Sequence, residues 1–251
     1  MWQHLGLAIA ATALAGCSLI YNPNNLPGAP NEAGIDAPPD APPDAEIILD
    51  ADPSKLELLT DWLPTRSWYQ GSTTPTLSRV ASFRFDDPDG EVGIETILVQ
   101  ADKGVLMQTP LTYRSAPLEG GDDYFVGNSH HSVLGQRWIY DACGDPLYAK
   151  VLATAILTGA GQADEFNEID GQVVPRESTV SVSCGGTQSE APSVNAVVQV
   201  DNGDPTRIIT DSVELVILRL LGDASTGEPL TLTATWSGQA TPVLLAYALT
   251  L

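Results

Sequence analysis

Basic residues are scarce in this sequence. Its 251 residues include 11 Lys and Arg against 32 Asp and Glu, which gives a formal net charge of −21. Proteins that bind nucleic acid need a basic surface that neutralises phosphates, and charge-driven adsorption to anionic lipid needs clustered Lys and Arg. The composition argues against both classes. Because 43% of the residues are hydrophobic, a substantial core is still expected.

The N-terminus lacks a hydrophobic run long enough to cross a membrane as a helix. Its apolar run, residues 5–15, has instead the length of a signal-peptide core. The residues that follow, Leu14-Ala15-Gly16-Cys17, resemble the lipobox of bacterial lipoproteins. This resemblance implies a signal peptide at 1–16, cleavage before Cys17 and acylation of the Cys17 thiol. One departure is that no Lys or Arg precedes the apolar run, and an ordinary signal peptide with a chance cysteine is the alternative.

Residues 17–52 are predicted to form a spacer behind the lipidated cysteine. Residues 36–45 read DAPPDAPPDA, and the segment holds seven acidic residues and no basic one. Pro favours polyproline II and the aspartates repel one another, so an extended tether is expected. Ser18 resembles the residue that follows the cysteine in lipoproteins sent to an outer membrane. We therefore expect the protein at the bacterial cell envelope, attached to the membrane through its lipid, in the outer membrane or facing the periplasm.

The rest of the chain predicts an α+β fold with antiparallel sheets. Residues 54–57, SKLE, fit a capping box that begins a helix over about 55–63. Residues 87–90, DPDG, suit a type I turn between two strands. The second of these strands, 92–99, is apolar on both faces and should be central in its sheet, and a third strand follows at 105–113.

The second half of the chain predicts mostly strands. Asp145-Pro146 fits an N-cap followed by proline at the first helical position, so a helix is expected over about 146–158. Runs typical of strands then follow at 172–183, 193–200, 206–220, 229–237 and 242–250. We expect an α+β part over 53–160. A β-rich part over 161–251 would pack as the same domain or as a second small one.

Cysteines are few. If Cys17 is acylated, Cys143 and Cys184 remain in the mature chain. Two cysteines in an exported protein could form a disulfide, and two buried free thiols are the alternative.

Several motifs in the body are similar to one known family. They are KLELLTDWLPTRSWYQG at 55–71, FRFDDPDGEVGIETILV at 83–99, PLTYRSAPLEG at 110–120, HSVLGQRWIYDACGDPLY at 131–148 and TATWSGQATPVLLA at 233–246. Together they resemble the maltokinase N-terminal cap-like family, over nearly the whole body. In maltokinases the cap precedes a kinase-like portion that phosphorylates maltose with ATP. Stand-alone cap-like proteins, which this sequence resembles more, imply no activity that can be carried over.

Kinase signatures are missing from this sequence. It contains no G-x-x-x-x-G-K-[ST] loop and no H-R-D or D-F-G set, and its lone G-x-G at 159–161 follows a predicted helix. Phosphoryl transfer needs a phosphate cradle, a lysine and metal-binding carboxylates. The sequence therefore predicts no kinase activity, no cofactor and no metal.

Four residues are candidates for ligand binding. Trp68 and Tyr69 follow the Pro64 helix breaker and form the aromatic pair expected to be exposed, whereas Trp138 and Tyr140 are expected in the core. His131 and Arg114 lie in motifs of the resembled family. A structural histidine is the alternative for His131, and the adjacent His130-His131 pair is poorly arranged to share a metal ion. Two carboxylates among Asp122, Asp123, Asp141 and Asp145 could stand at glycosidase spacing, although solvated loop carboxylates are the default.

Three functions remain open from the sequence. The first is a lipid-anchored, non-catalytic cap-like module that binds a glycan or a protein partner. The second is an enzyme acting on α-glucan or a related carbohydrate. The third is a purely structural surface protein. A pocket with convergent carboxylates and exposed aromatic rings would separate them.

Overall fold

The computed structural model describes residues 51–102, 104–131, 135–169, 172–176, 178–191, 193–222 and 227–251. The predicted signal peptide (1–16), Cys17 and residues 18–50 of the predicted spacer lie outside the described residues. Within the described part, neither helix has the length and apolar character that a bilayer span requires.

Two antiparallel sheets and two helices make up most of the described fold. The first sheet contains seven strands, in the order β1-β5-β6-β4-β3-β2 with β13 also paired to β4. These strands are β1 (Ala51–Asp52), β2 (Leu77–Phe85), β3 (Gly93–Ala101), β4 (Leu106–Arg114), β5 (Phe125–His131), β6 (Gly135–Asp141) and β13 (Leu220–Leu221). Helix α1 is Lys55–Trp62 and helix α2 is Pro146–Thr158.

The second sheet comes entirely from the C-terminal part of the chain. Its order is β10-β11-β12-β15-β14-β9, and all its pairs are antiparallel. The strands are β9 (Val180–Cys184), β10 (Val197–Asp201), β11 (Thr206–Thr210), β12 (Val213–Ile217), β14 (Thr231–Trp236) and β15 (Gln239–Thr250). A separate antiparallel pair joins β7 (Glu165–Ile169) to β8 (Gln172–Arg176). The described fold is thus mostly β, and the predicted antiparallel sheets with two helices are confirmed.

Both helices begin at the capping residues that the sequence predicted. At α1 the Ser54 hydroxyl accepts a hydrogen bond from the Glu57 amide, and the Glu57 carboxylate accepts one from the Ser54 amide, which completes the capping box. At α2 the Asp145 carboxylate accepts a hydrogen bond from the Leu147 amide, with Pro146 at the first helical position. The β2–β3 hairpin also forms, closed by the Gly90 amide donating to the Asp87 carbonyl.

Several boundaries differ from the sequence prediction. The run 172–183, expected as one strand, is divided between β8 and β9, which belong to different sheets. Helix α1 ends at Trp62, because Pro64 supplies no amide and the chain tightens into a 3₁₀ turn at Leu63–Thr65. The run 206–220 is two paired strands, β11 and β12, rather than one strand. The Thr210 side chain turns the chain between them, since its hydroxyl accepts hydrogen bonds from the Ser212 and Val213 amides.

The larger hydrophobic core joins the two parts of the chain. Helix α2 contributes Leu152 and Ile156, the β2–β3 hairpin contributes Phe83 and Leu98, and the second sheet contributes Leu215 together with residues of its other strands. Residues from 53–160 and from 161–251 therefore enter one continuous cluster.

The smaller core lies between α1 and the other face of the first sheet. Leu59, Trp62 and Leu63 pack on Ile97 and Val99, and each of these side chains is at most 5% exposed. Because α1 covers this face and α2 with the second sheet covers the opposite one, β3 is buried on both faces. Its predicted central position is confirmed.

Candidate functional site

The junction between β6 and α2 is built from the motif Tyr140–Pro146. Asp141 ends β6, and its carboxylate accepts a hydrogen bond from the Cys143 amide at 3.2 Å, which caps a 3₁₀ turn over Ala142–Gly144. Asp145 then caps α2. Gly144 is required between them because a Cβ at this position would lie 2.0 Å from the Tyr124 ring. The residues of this motif therefore fix the course of the backbone from the end of β6 to the start of α2.

Arg114 and Asp145 form a two-pronged ion pair. The Arg114 Nε donates to Asp145 Oδ2 and its Nη2 donates to Oδ1, both at 2.7 Å. The Asp145 side chain is fully buried, and the hydrogen bond with it raises the pKa of Arg114. Arg114, predicted as a ligand-binding residue, thus anchors the end of β4 to the start of α2.

Asp141 has a buried arginine partner from the C-terminal part of the chain. The Arg219 Nη2 donates to Asp141 Oδ2 at 2.6 Å and its Nε donates to the Thr206 hydroxyl at 2.8 Å. Both side chains of the ion pair have 0% exposure. Burial alone would lower the pKa of Arg219, but the neighbouring Asp141 carboxylate outweighs it and holds the guanidinium charged.

The two cysteines of the body are free thiols in this structure, so the alternative of a Cys143–Cys184 disulfide is not realised here. Cys143 is buried beside Asp141, and its burial raises the pKa of its thiol far above the usual range. Cys184 is half-buried at the end of β9, and burial raises its pKa to about 11. A thiol held protonated is a poor nucleophile, so neither cysteine is prepared for catalysis.

The prediction that Trp68 is exposed is wrong. Trp68 is 4% exposed, with its ring edge-on to Trp62 at 6.1 Å and under the Arg219 guanidinium at 5.2 Å. Tyr69 is half-buried, and its hydroxyl has no hydrogen-bond partner among the described residues. Trp68 is covered because Arg219, which is distant in sequence, folds over it. The prediction that Tyr140 and Trp138 lie in the core is confirmed for Tyr140, which is buried. Trp138 is half-buried.

His130 and His131 end strand β5, between β1 and β6 of the first sheet. His130 stands opposite Asp52 and His131 opposite Ala51 of β1. His130 is exposed, and partial burial, reinforced by Arg137 and Lys55, lowers the pKa of His131. The described residues contain no group of three or more His, Cys, Asp or Glu that could hold a metal ion.

The four carboxylates considered for hydrolysis separate into two kinds. Asp122 and Asp123 are exposed in a 3₁₀ turn before β5. Asp141 and Asp145 are completely buried and are paired with Arg219 and Arg114. The buried pair is held by hydrogen bonds that a substrate would have to break.

A shallow pocket opens between α2 and the β2–β3 hairpin. Its volume is about 230 Å³, and Phe85, Val151 and Ala155 contribute apolar surface. Its polar groups come from the side chains of Asp86, Lys150, Thr154 and Gln162. None of the four predicted ligand-binding residues lines it.

Sequence reasoning missed Arg219 and the pocket residues. Arg219 has one visible signal, because it is a single charge inside the apolar run VILRLL at 216–221. A charged residue at such a position is almost never fully buried unless it is paired. The pocket residues come from segments far apart in sequence, and no motif unites them.

Comparison with known proteins identifies one family. Residues 62–145 match the family model described as the maltokinase N-terminal cap domain. No curated protein matches the chain. The match starts at the end of α1 and ends at the Asp145 cap of α2, so it includes Trp68, Arg114, His131 and the whole β2–β6 portion of the first sheet. The chain therefore contains a maltokinase N-terminal cap-like domain.

Proposed function

We propose that this protein is a lipid-anchored, non-catalytic cap-like module of the bacterial cell envelope, and that it acts by binding. The observation that carries the non-catalytic part is the state of the motif carboxylates. Asp141 and Asp145 are fully buried in ion pairs with Arg219 and Arg114, which hold together β6, α2 and the C-terminal part. Carboxylates that act as acid and base must instead reach the substrate.

The pocket beside α2 supports binding of a small glycan. Its volume of about 230 Å³ suits a single sugar ring, below the roughly 300–1,000 Å³ of pockets for larger ligands. Phe85 and Ala155 line the pocket and are 5% and 3% exposed, so they offer the ring a small apolar contact at the pocket wall. Lys150 and Asp86 supply a donor and an acceptor for hydroxyl groups.

The leader sequence supports attachment to a membrane. Leu14-Ala15-Gly16-Cys17 follows an apolar run of signal-peptide length, and the acidic, Pro-rich spacer follows Cys17. At a rise of ~3 Å per residue in polyproline II, the segment at 36–45 alone would separate the folded body from the membrane by ~30 Å. A binding module held in this way would sample ligands close to the membrane surface.

The test of anchoring compares membrane fractions of the full-length protein with those of Cys17→Ala. We expect the wild-type protein in the membrane fraction, and the variant either released or left unprocessed. Ser18→Ala, which keeps the cysteine, is the matched control and should remain with membranes. A soluble periplasmic protein in all three cases would refute the anchor.

The test of binding uses calorimetric titration of the mature protein with maltose and maltotriose. Saturable binding that Thr154→Trp abolishes and Thr154→Ser retains would support the pocket, because tryptophan fills it. Release of glucose from maltotriose, or phosphorylation of maltose with Mg-ATP, would show catalysis and overturn the proposal. Absence of binding to both sugars would refute the glycan and leave a protein as the partner to be sought.

A further inference from the structure

The few basic residues of this acidic chain are not evenly distributed. Around the buried Glu95 of β3 stand Lys55 at the start of α1 and two arginines of β2, Arg79 and Arg84. Arg137 on β6 lies near the same end of α1, because it pairs with Ser129 of β5, whose hydroxyl donates to the Pro53 carbonyl at 2.9 Å. We name Lys55, Arg79, Arg84 and Arg137 the basic cluster. It contains four of the 11 Lys and Arg residues in the sequence.

The buried Glu95 carboxylate forms ion pairs with cations of the basic cluster. Its Oε2 accepts from the Lys55 ammonium at 2.5 Å and from the Tyr113 hydroxyl at 3.1 Å, and its Oε1 lies 3.4 Å from the Arg79 Nη2. Arg84 stands directly opposite Glu95 in the β2–β3 pairing. Glu95 is only 4% exposed, so its own charge is shielded from solvent while the cations reach the surface.

The cations keep donor capacity that Glu95 does not use. The Arg84 Nε is buried and has no hydrogen-bond partner within the described part of the chain. The side chains of Lys55 and Arg79 are 39% and 51% exposed, and each carries further N–H groups. The Lys55 ammonium also lies over the Tyr113 ring at 4.9 Å, which fixes its position.

The carboxylates near the cluster do not cancel its charge. Glu95 is the buried centre, and Asp86 interacts with Arg84 from the end of β2. Glu57 in the first turn of α1 is engaged by the Ser54 amide in the capping box. Its hydrogen bonds with Ser54 lower the pKa of Glu57, so it keeps its negative charge. Four cations against Glu95, Asp86 and Glu57 leave one positive charge in excess. Since charges beyond ~8 Å are screened at physiological salt, the acidity of the rest of the chain does not remove this local field.

We propose that the basic cluster is a binding site for a phosphate group. Arginine guanidinium groups match the oxygens of phosphate with parallel N–H donors, and an adjacent lysine adds a point charge. The phosphate could belong to a soluble phosphorylated ligand or to the headgroup of an anionic phospholipid. This site shares Asp86, the neighbour of Arg84, with the sugar pocket and has no residue in common with the lipid anchor. The Arg79 and Thr154 variants therefore test the phosphate site and the sugar pocket independently.

The primary test measures inorganic phosphate binding to the mature full-length protein at constant ionic strength, with chloride as the exchanged anion. We expect saturable binding that Arg79→Gln weakens by about tenfold or more, since the variant loses a charge-assisted hydrogen bond to the phosphate. Arg79 is half-exposed and its Nη2 lies 3.4 Å from Glu95, so loss of this ion pair should lower the melting temperature only slightly, which a thermal melt of the variant checks. Arg207→Gln is the matched control, because Arg207 is an exposed arginine paired with Glu214 in the second sheet.

A second arm identifies the source of the phosphate. Full-length Cys17→Ala protein is mixed with vesicles of phosphatidylcholine, with or without phosphatidylglycerol, and sedimented. Phosphate binding together with Arg79-dependent binding to the phosphatidylglycerol vesicles would assign a lipid headgroup. Phosphate binding without vesicle binding would assign a soluble ligand. Absence of saturable phosphate binding, or equal weakening by Arg79→Gln and Arg207→Gln, would overturn the proposal.

Discussion

Arg219 is a fully buried charge on which several polar groups depend. Its guanidinium donates to Asp141 and Thr206 and lies over the Trp68 ring. Its backbone amide donates to the Asp204 carboxylate. Removing two charges from water costs several kcal/mol, which a buried ion pair recovers only with good geometry and further hydrogen bonds. Arg219 therefore holds the cap-like part and the C-terminal part in one arrangement.

Replacement of Arg219 should destabilise the fold strongly. Arg219→Met leaves Asp141 buried without its cation, so we expect the free energy of unfolding to fall by about 3–5 kcal/mol. Chemical denaturation at pH 7 measures the change. Arg207→Gln, which breaks an exposed pair with Glu214, should cost at most about 1 kcal/mol. The double variant Asp141→Asn, Arg219→Met should recover part of the loss, and a single variant as stable as wild type would contradict this role.

The Glu95 carboxyl makes the stability of the fold depend on pH under acidic conditions. Burial alone would raise the pKa of Glu95, but Lys55, Arg79 and Arg84 together lower it to about 2. A carboxyl with a depressed pKa in the folded state stabilises the fold above its unfolded pKa, near 4.5, and this stabilisation is lost as pH falls toward 2. The corresponding free energy is about 3 kcal/mol.

The matching experiment compares wild type with Glu95→Gln in urea between pH 7 and pH 2. We expect the wild type to lose about 3 kcal/mol more than the variant between pH 4.5 and 2. At pH 7 the variant should be the less stable protein, because three cations lose their shared carboxylate. Parallel pH profiles for the two proteins would show that Glu95 is not held ionised in this way.

At the scale of elements, the end of α2 is closed by another part of the chain. Gly159 adopts a left-handed conformation with φ of 75° and ends the helix. The carbonyls of Ile156 and Leu157, in the last turn of the helix, accept hydrogen bonds from the Gly186 and Gln188 amides, at 2.9 and 3.0 Å. The segment after β9 thus supplies donors for carbonyls that would otherwise be buried without partners.

A side chain at Gly186 should disrupt this closure. A Cβ there would lie 2.1 Å from the Leu157 carbonyl oxygen and 2.2 Å from that of Ile156, and neither backbone atom can move aside cheaply. We expect Gly186→Ala to lower the free energy of unfolding by about 2–3 kcal/mol. Gly161→Ala is the control, because nothing lies within 4 Å of its Cβ position, and its effect should stay within about 0.5 kcal/mol. Equal effects of the two substitutions would rule out the close approach as the cause.

At the scale of the whole molecule, the cap-like domain is completed by the residues that follow it. The matched region ends at 145, yet the core that includes Phe83 and Leu98 also includes buried residues from five strands of the second sheet, and partly buried residues of the sixth, β10, pack against it. Gln108 on β4 adds a polar link, since its side-chain amide donates to the carbonyls of Leu218 and Leu245 at 2.6 and 2.5 Å. The second sheet is therefore part of the structural unit to which the cap-like domain belongs.

A shortened chain tests this dependence. A chain over residues 51–160 would expose the α2 and β2–β3 surfaces of the larger core, so we expect it to lack dispersed methyl signals in NMR spectra. A chain over 51–251 should show those signals and melt within about 2 °C of the mature protein, because residues 17–50 add an acidic spacer with little apolar surface. Native-like spectra from the shorter chain would mean that the two parts fold separately.

The sequence by itself determined the features that depend on neighbouring residues. The capping box at residues 54–57, the turn at 87–90 and the Asp145-Pro146 start of α2 all involve groups within a few positions of one another. Such interactions are encoded locally, so the helices, the first hairpin and the alternation of the strands could be predicted. The motifs that resemble the cap family also predicted the first half of the fold. The family match at 62–145 confirms the resemblance there, and it does not extend to the motif at 233–246.

Only the tertiary structure decided which side chains are covered and which charges meet. Trp68 is covered by Arg219, which lies 151 positions later in the sequence. Arg114 forms its ion pair with Asp145, which lies 31 positions later. The basic cluster likewise forms from α1, β2 and β6, although the net charge of −21 argued against any such surface. Burial and electrostatic fields depend on distances in space, which a linear pattern of residue types does not contain until the sheets and helices have packed.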